Sequence, residues 1–145
     1  MLPKWHVLLG FLFSILFWIL FPKINPLYIL LVFLSSIFID IDHYLNAVYK
    51  TGKTGIFHSF EYYKIHEKIA DEEHKKGIRK KSDFQFLHTA EIHLIFLLLG
   101  LFLWNGFLYI FIGMFFHSLC DIAFMTAKEK LYAREFFFLN FFKEN

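Results

Sequence analysis

The stretch Ile92–Ala127, "IHLIFLLLGLFLWNGFLYIFIGMFFHSLCDIAFMTA", runs for 36 residues with a single formally charged side chain, Asp121. As one helix it would reach about 54 Å, far beyond the roughly 30 Å of a bilayer's hydrocarbon. "WNGF", Trp104 to Phe107, supplies the turn that folds it back, with a tryptophan suited to a membrane interface. The run therefore reads as a hairpin of two spans, 86–104 and 107–127. Upstream, "SDFQ" (Ser82 to Gln85) fits a capping box that starts the first of them.

Towards the N-terminus two more apolar runs fit spans 5–22 and 24–41, short for a bilayer but sufficient. "FPKINP" between them carries two prolines and one lysine, as a tight turn would. The first run begins like a signal peptide, with Lys4 ahead of it. No small-residue cleavage site follows, so it reads as a retained helix. Composition agrees. The 145 residues are 57% hydrophobic, with 22 Phe, 7 Tyr and 3 Trp, more apolar surface than a soluble domain of this size can bury. The one cysteine, Cys120, excludes an internal disulfide and a CxxC zinc motif. The fold class expected is all-α: one polytopic membrane domain, 1–145, with about four transmembrane helices.

A polar insert, 49–83, separates spans two and three and contains "YKIHEKIADEEHKKGIRKK", a charged, helix-favouring segment interrupted by Gly77. After Ala127, the tail 128–145 mixes Lys and Arg with aromatic residues and reads as an amphipathic interfacial helix. With four spans, both termini and the insert share one side. That side holds 14 of the 15 Lys and Arg, Lys23 being the exception. The positive-inside rule makes it the cytoplasm, so a multi-pass protein of the cytoplasmic (inner) membrane is expected.

This topology brings ionisable residues to one depth, where leaving them unpaired in lipid is expensive. Asp40, Asp42 and His43 end span two, His88, Glu91 and His93 begin span three, and His117 and Asp121 lie on span four. His117 and Asp121 are one turn apart. Asp40 and His43, and likewise His88 and Glu91, are three apart. His88 and His93 lie about 140° apart around a helix. Asp42 points away from Asp40 if the helix continues, so one aspartate would support the other's site from behind. Imidazole with carboxylate is the ligand set for Zn²⁺, Mn²⁺ or Fe²⁺, in a site of one or two ions. The bland alternative is that these groups pair only with one another.

His6 reads as an interfacial residue, and His66 and His74 as solvated ones. In "FHSFEYY", His58 and Glu61 are three apart, and spacing leaves a ligand pair and a plain helix surface equally open. Cys120 reads as a packing residue. No GxSxG, P-loop or GxGxxG occurs.

In order, "DIDH" (Asp40 to His43), "KTGIFHS" (Lys53 to Ser59) and the His117-x3-Asp121 pair resemble the membrane-bound metal-dependent hydrolases, the YdjM-like family. Its members carry "PDIDH", "HRGxTHS" and "H-x3-D" stretches. Ile39 stands here in place of proline, Lys53 in place of the second motif's histidine, and Phe57 in place of its threonine. The resemblance spans about Val32 to Thr126. It implies a hydrolase, and it implies His58 as a ligand. "HTAEIHL" (His88 to Leu94) lies outside the three motifs.

The expected function is therefore metal-dependent hydrolysis of a lipid-linked or membrane-proximal ester, a phosphoester first, at the cytoplasmic face. The expected metal ligands are Asp40, Asp42, His43, His58, His88, His93, His117 and Asp121, with Glu61 as an additional candidate. Glu91 and Asp42 are the candidate catalytic acid–base groups. The cofactor is one or two divalent ions, zinc before manganese or iron. The bilayer is the expected surroundings, and the basic insert suits an anionic lipid or substrate; no nucleic-acid partner is expected. The rival classes are a metal transporter, which would need polar residues through the whole membrane, and a non-catalytic scaffold with a structural polar cluster.

Overall fold

A computed structural model describes residues 3–140. It is helical throughout, with no strand among the described residues. The order is α1 (Pro3–Leu20), α2 (Pro26–Phe38), α3 (Ile41–Thr51), α4 (Ile56–Lys75), a 3-10 turn (Phe86–His88), α5 (Ala90–Phe102), α6 (Asn105–Ala127) and a second 3-10 turn (Leu131–Ala133). In "INPL" the Asn25 side chain accepts from Leu27 N at 2.9 Å while Pro26 opens α2. An amide cap of this kind contributes about 1 kcal/mol, and proline at that position has no amide to waste. Gly52 closes α3 at φ 70°, in the left-handed region that favours glycine.

Among the described residues two helical runs are long and apolar enough to cross a membrane: Pro26–Thr51, which comprises α2 and α3, and Asn105–Ala127. The apolar helices α1 and α5 are shorter. α6 packs mainly against α2 and α5, and α1 packs on α2. Small residues permit these approaches. A Cβ at Gly113 would overlap the Val32 carbonyl and the Ser35 hydroxyl, and one at Gly10 would meet Ser36 Oγ. The interior is inverted relative to a soluble bundle. His117, Thr89 and Ser36 are among the most deeply buried side chains, while Leu16, Ile19, Leu101 and Phe102 face outwards.

Two sequence expectations change here. The third helix starts at Ala90, not in the eighties, because Ser82 bonds outwards: its N–H and its hydroxyl both donate to Ala133 O at 2.8 Å. Phe86–His88 forms a 3-10 turn instead. The tail 128–145 is not one amphipathic helix. Beyond Leu131–Ala133 residues 134–137 leave the helical path, where backbone groups pair with another segment, and residues 138–140 are helical again. Ala90 N donates to Phe136 O at 2.9 Å, and Phe138 N donates to Glu91 Oε2 at 3.0 Å. Residues 141–145 of the expected tail helix lie outside the described residues.

Ion pairs secure these pieces to the insert. Lys50 pairs with Asp83 and Lys130 with Asp71, Lys128 reaches Glu67 at 3.2 Å, and Lys81 reaches Glu135 at 2.9 Å. The Lys130 ammonium holds the Asp71 carboxyl below its ordinary range. Each exposed pair contributes little alone. Together they return the chain after α6 to the end of the bundle where α3, α4 and the 3-10 turn meet.

Candidate metal centre

Gly113, His117 and Asp121 stand at successive i+4 steps on the buried face of α6, so the close approach of α2 at Gly113 continues up to the centre. His117 Nδ1 donates to Ser36 O of α2 at 2.7 Å. Its Nε2 then points the other way, 3.3 Å from Asp121 Oδ2 and 3.3 Å from Asp40 Oδ1. Asp40 precedes α3 without its carboxylate capping that helix, so the oxygens remain available.

His88, on the 3-10 turn, completes the group. Asp42 Oδ2 accepts from both His88 Nδ1 and Leu87 N, each at 3.1 Å, which fixes the ring. His88 Nε2 thus faces His117 Nε2 at 3.4 Å, Asp40 Oδ1 at 3.6 Å and Asp121 Oδ2 at 3.8 Å. Two more histidines flank these atoms. His43 Nε2 is 3.6 Å from Asp40 Oδ1, with the Gln85 amide 3.4 Å behind it at Nδ1. His6 stacks on His117 at 4.0 Å between centroids and sets its Nε2 3.3 Å from Asp121 Oδ1. Donor trios within reach of one ion are His6–Asp40–His117, Asp40–His43–His88 and His88–His117–Asp121.

The spacing of these donors could hold a metal ion. Direct hydrogen bonds between such groups run at about 2.7–3.2 Å. Four ligands held tetrahedrally at about 2.0–2.2 Å from one ion lie about 3.3–3.6 Å from each other. Because Ser36 O and the Asp42 carboxylate are acceptors, the Nδ1 protons of His117 and His88 point outwards. Neutral imidazoles would then turn two Nε2 lone pairs towards the Asp40 and Asp121 carboxylates, a donor set that could hold a cation. Each inward imidazole is also held from behind, as metal-ligating histidines are. Among Asp40, Asp42, Asp121 and Arg134, three carboxylates oppose one guanidinium.

The structure brings Asp40, His43, His88, His117 and Asp121 together and leaves other candidates out. Asp42 supports His88 from behind instead of facing the central point. His93 turns away: Nδ1 donates to Thr89 O at 2.9 Å and Nε2 is 3.2 Å from Ser118 Oγ. Glu91 faces the returning tail, so it belongs to neither the ligand set nor an acid–base position beside it. His58 and Glu61 lie on the exposed side of α4. α4 instead presents Tyr63, whose ring meets His43 edge-on at 4.9 Å. Burial, and next Asp83, push the Tyr63 phenol well above its ordinary range, so it stays protonated.

Two participants are not expected at the site from sequence, where His6 reads as an interfacial residue and Arg134 as one cation of the tail. His6 is buried, and the trace it left was the His6–Gly10–Ser14 repeat, a polar and small stripe at i+4 spacing along an apolar helix. Arg134 of the tail is buried, with Nη1 3.6 Å from Asp121 Oδ2 and Nη2 donating to Ser118 Oγ at 3.3 Å. Burial lowers its pKa and Asp121 pulls it back up, and a guanidinium stays charged throughout. Nothing in the local pattern of "AREF" distinguishes it from the other tail cations.

Protein-family models, curated proteins and solved structures were all compared with the chain, and none of them matches it.

Proposed function

We propose that this chain is a membrane-embedded, metal-dependent hydrolase that acts at the cytoplasmic face on a membrane-proximal ester, a phosphoester first. The observation that carries this reading is the grouping of His88 Nε2 and His117 Nε2 with Asp40 Oδ1 and Asp121 Oδ2, each carboxylate oxygen 3.3–3.8 Å from both ring nitrogens, with both rings fixed from behind. The order of "DIDH", "GIFHS" and His117-x3-Asp121, which resembles the membrane-bound metal-dependent hydrolases, points the same way. Imidazole nitrogens at the centre of the donor set put zinc before manganese or iron.

The four-span reading rests on α1 and α5 joining the two longer runs, and on the outward-facing apolar side chains. Lys and Arg lie almost wholly on the side of the insert, which orients it inwards. A cysteine introduced at Gly77 should therefore react with a membrane-impermeant maleimide only after cells are opened. Labelling of intact cells would reverse the orientation.

A divalent ion held among these donors would supply Lewis acidity and make water acidic enough to attack near neutral pH. The protein's own groups do the rest. Asp40 and His43, with side chains 27% and 28% exposed, form the open edge of an otherwise buried cluster, where substrate and water enter. His43 is the group at that edge suited to carry a proton. In hydrolysis the water oxygen bonds to phosphorus and the ester P–O bond breaks. The proton released by water passes to His43 and then to the departing alkoxide, leaving the site as it began.

The test is made on detergent-purified protein equilibrated with Zn²⁺ and then dialysed. Elemental analysis should find about one equivalent of metal, and p-nitrophenyl phosphate hydrolysis should disappear with a chelator and return with Zn²⁺. Protein that takes up no metal would reduce the cluster to a structural polar network. Bound metal without hydrolysis of any phosphoester would leave a metal site but sink the enzyme.

A further inference from the structure

Arg134 is charged, buried and incompletely used. Its two recorded polar contacts, at 3.6 Å to Asp121 and 3.3 Å to Ser118, are longer than the about 2.7–2.9 Å of a well-made charge-assisted bond. Its Nε is buried with no hydrogen-bond partner. Holding a desolvated guanidinium in that state is costly. Yet the chain fixes it firmly: Ser82 N–H and hydroxyl on Ala133 O just before it, Ala90 N on Phe136 O and Phe138 N on Glu91 just after it. The guanidinium also lies over the Phe136 ring, 5.7 Å from its centroid. A cation so placed, beside one of the central carboxylates and with spare N–H donors, is a pre-formed half of an oxyanion site. The other half would be the ion held by Asp121 and its neighbours.

We propose that Arg134 binds an anionic oxygen of the substrate, and that the substrate is a phosphoester whose phosphoryl group lies between the guanidinium and the metal. This rests on the hydrolase reading above and adds its substrate class. The planar fork of arginine suits a phosphate because two parallel N–H donors meet two oxygens, which a lysine ammonium cannot reproduce. Glu91 is then explained as well: by accepting from Phe138 N it anchors the strap that carries Arg134.

The test uses the full chain in detergent, loaded with Zn²⁺, with inorganic phosphate as the probe and metal content read on every preparation. Arg134→Gln should keep its metal and bind phosphate about 10–100-fold more weakly, and Arg134→Lys about tenfold more weakly. Unchanged phosphate affinity in either variant overturns the proposal, and so does loss of metal in Arg134→Gln, which would make the residue part of the metal's support. Should Arg134→Gln not fold, Arg134→Lys alone decides by the same criterion. Wild-type protein that holds metal but no phosphate defeats this inference and leaves the metal centre standing. Wild-type protein without metal defeats the reading beneath it and this inference together. Competition by glycerol phosphate and by a short-chain phosphatidate then separates a soluble ester from a lipid headgroup. Displacement by neither removes phosphoesters as the class.

Discussion

His117→Ala should empty the centre. The substitution deletes the one ring whose Nε2 lies within 3.4 Å of His88, Asp40 and Asp121 alike, and it removes the inward lone pair that Ser36 O fixes. Losing only the outer partner of a ligand typically costs about 10–100-fold in metal affinity, and loss of the ligand itself costs more. Metal after dialysis should fall from about one equivalent to under about a tenth, with hydrolysis at background. His93→Ala is the matched control, since it deletes another buried imidazole from the same end of the bundle whose nitrogens face Thr89 and Ser118. It should keep its metal. Equal metal in His117→Ala and wild type would move the site elsewhere, and equal losses in both variants would trace the effect to general loosening of the bundle.

Removing the ion should also destabilise the protein. A ligand present at about 100 times its dissociation constant stabilises the state that binds it by about 2.7 kcal/mol. For a chain of this length that is about 5–10 °C in the unfolding midpoint. The donors come from α1, the start of α3, the 3-10 turn and α6, so the ion would act as a tie across the whole bundle. Thermal unfolding in detergent, with and without chelator, should show this drop and its reversal by Zn²⁺. In His117→Ala the chelator should have no effect. An unshifted wild-type midpoint would mean that the cluster is complete without a cation.

The grouping of these side chains at one end of the helices was the most legible property of the site. Counting apolar runs and assigning them alternate directions is enough to set Asp40, His43, His88, His117 and Asp121 at one level. Rotation about each helix was harder to read, because it depends on where the helix begins. The capping pattern at Ser82 suggests a helix that would carry His88, Glu91 and His93 together. Ser82 instead bonds Ala133, the helix begins at Ala90, and the three side chains point to three different places. The second contribution hidden from sequence is long-range pairing. The tail's aromatic and basic composition suits an interfacial helix, yet its backbone is occupied by Ala90, Ser82 and Glu91, partners more than forty residues away. His6 shows the opposite lesson. Its stripe with Gly10 and Ser14 was visible, but a polar stripe on a first helix acquires meaning only once α2 and α6 are packed against it.

The strap has a consequence in time. During synthesis α1 and α2 emerge first, carrying His6 and then Asp40, and His88 follows much later. Asp121 arrives near the end of α6, and Arg134 after that. The centre closes as one of the last events of assembly, when the chain beyond α6 comes back to lie against Ala90 and Glu91.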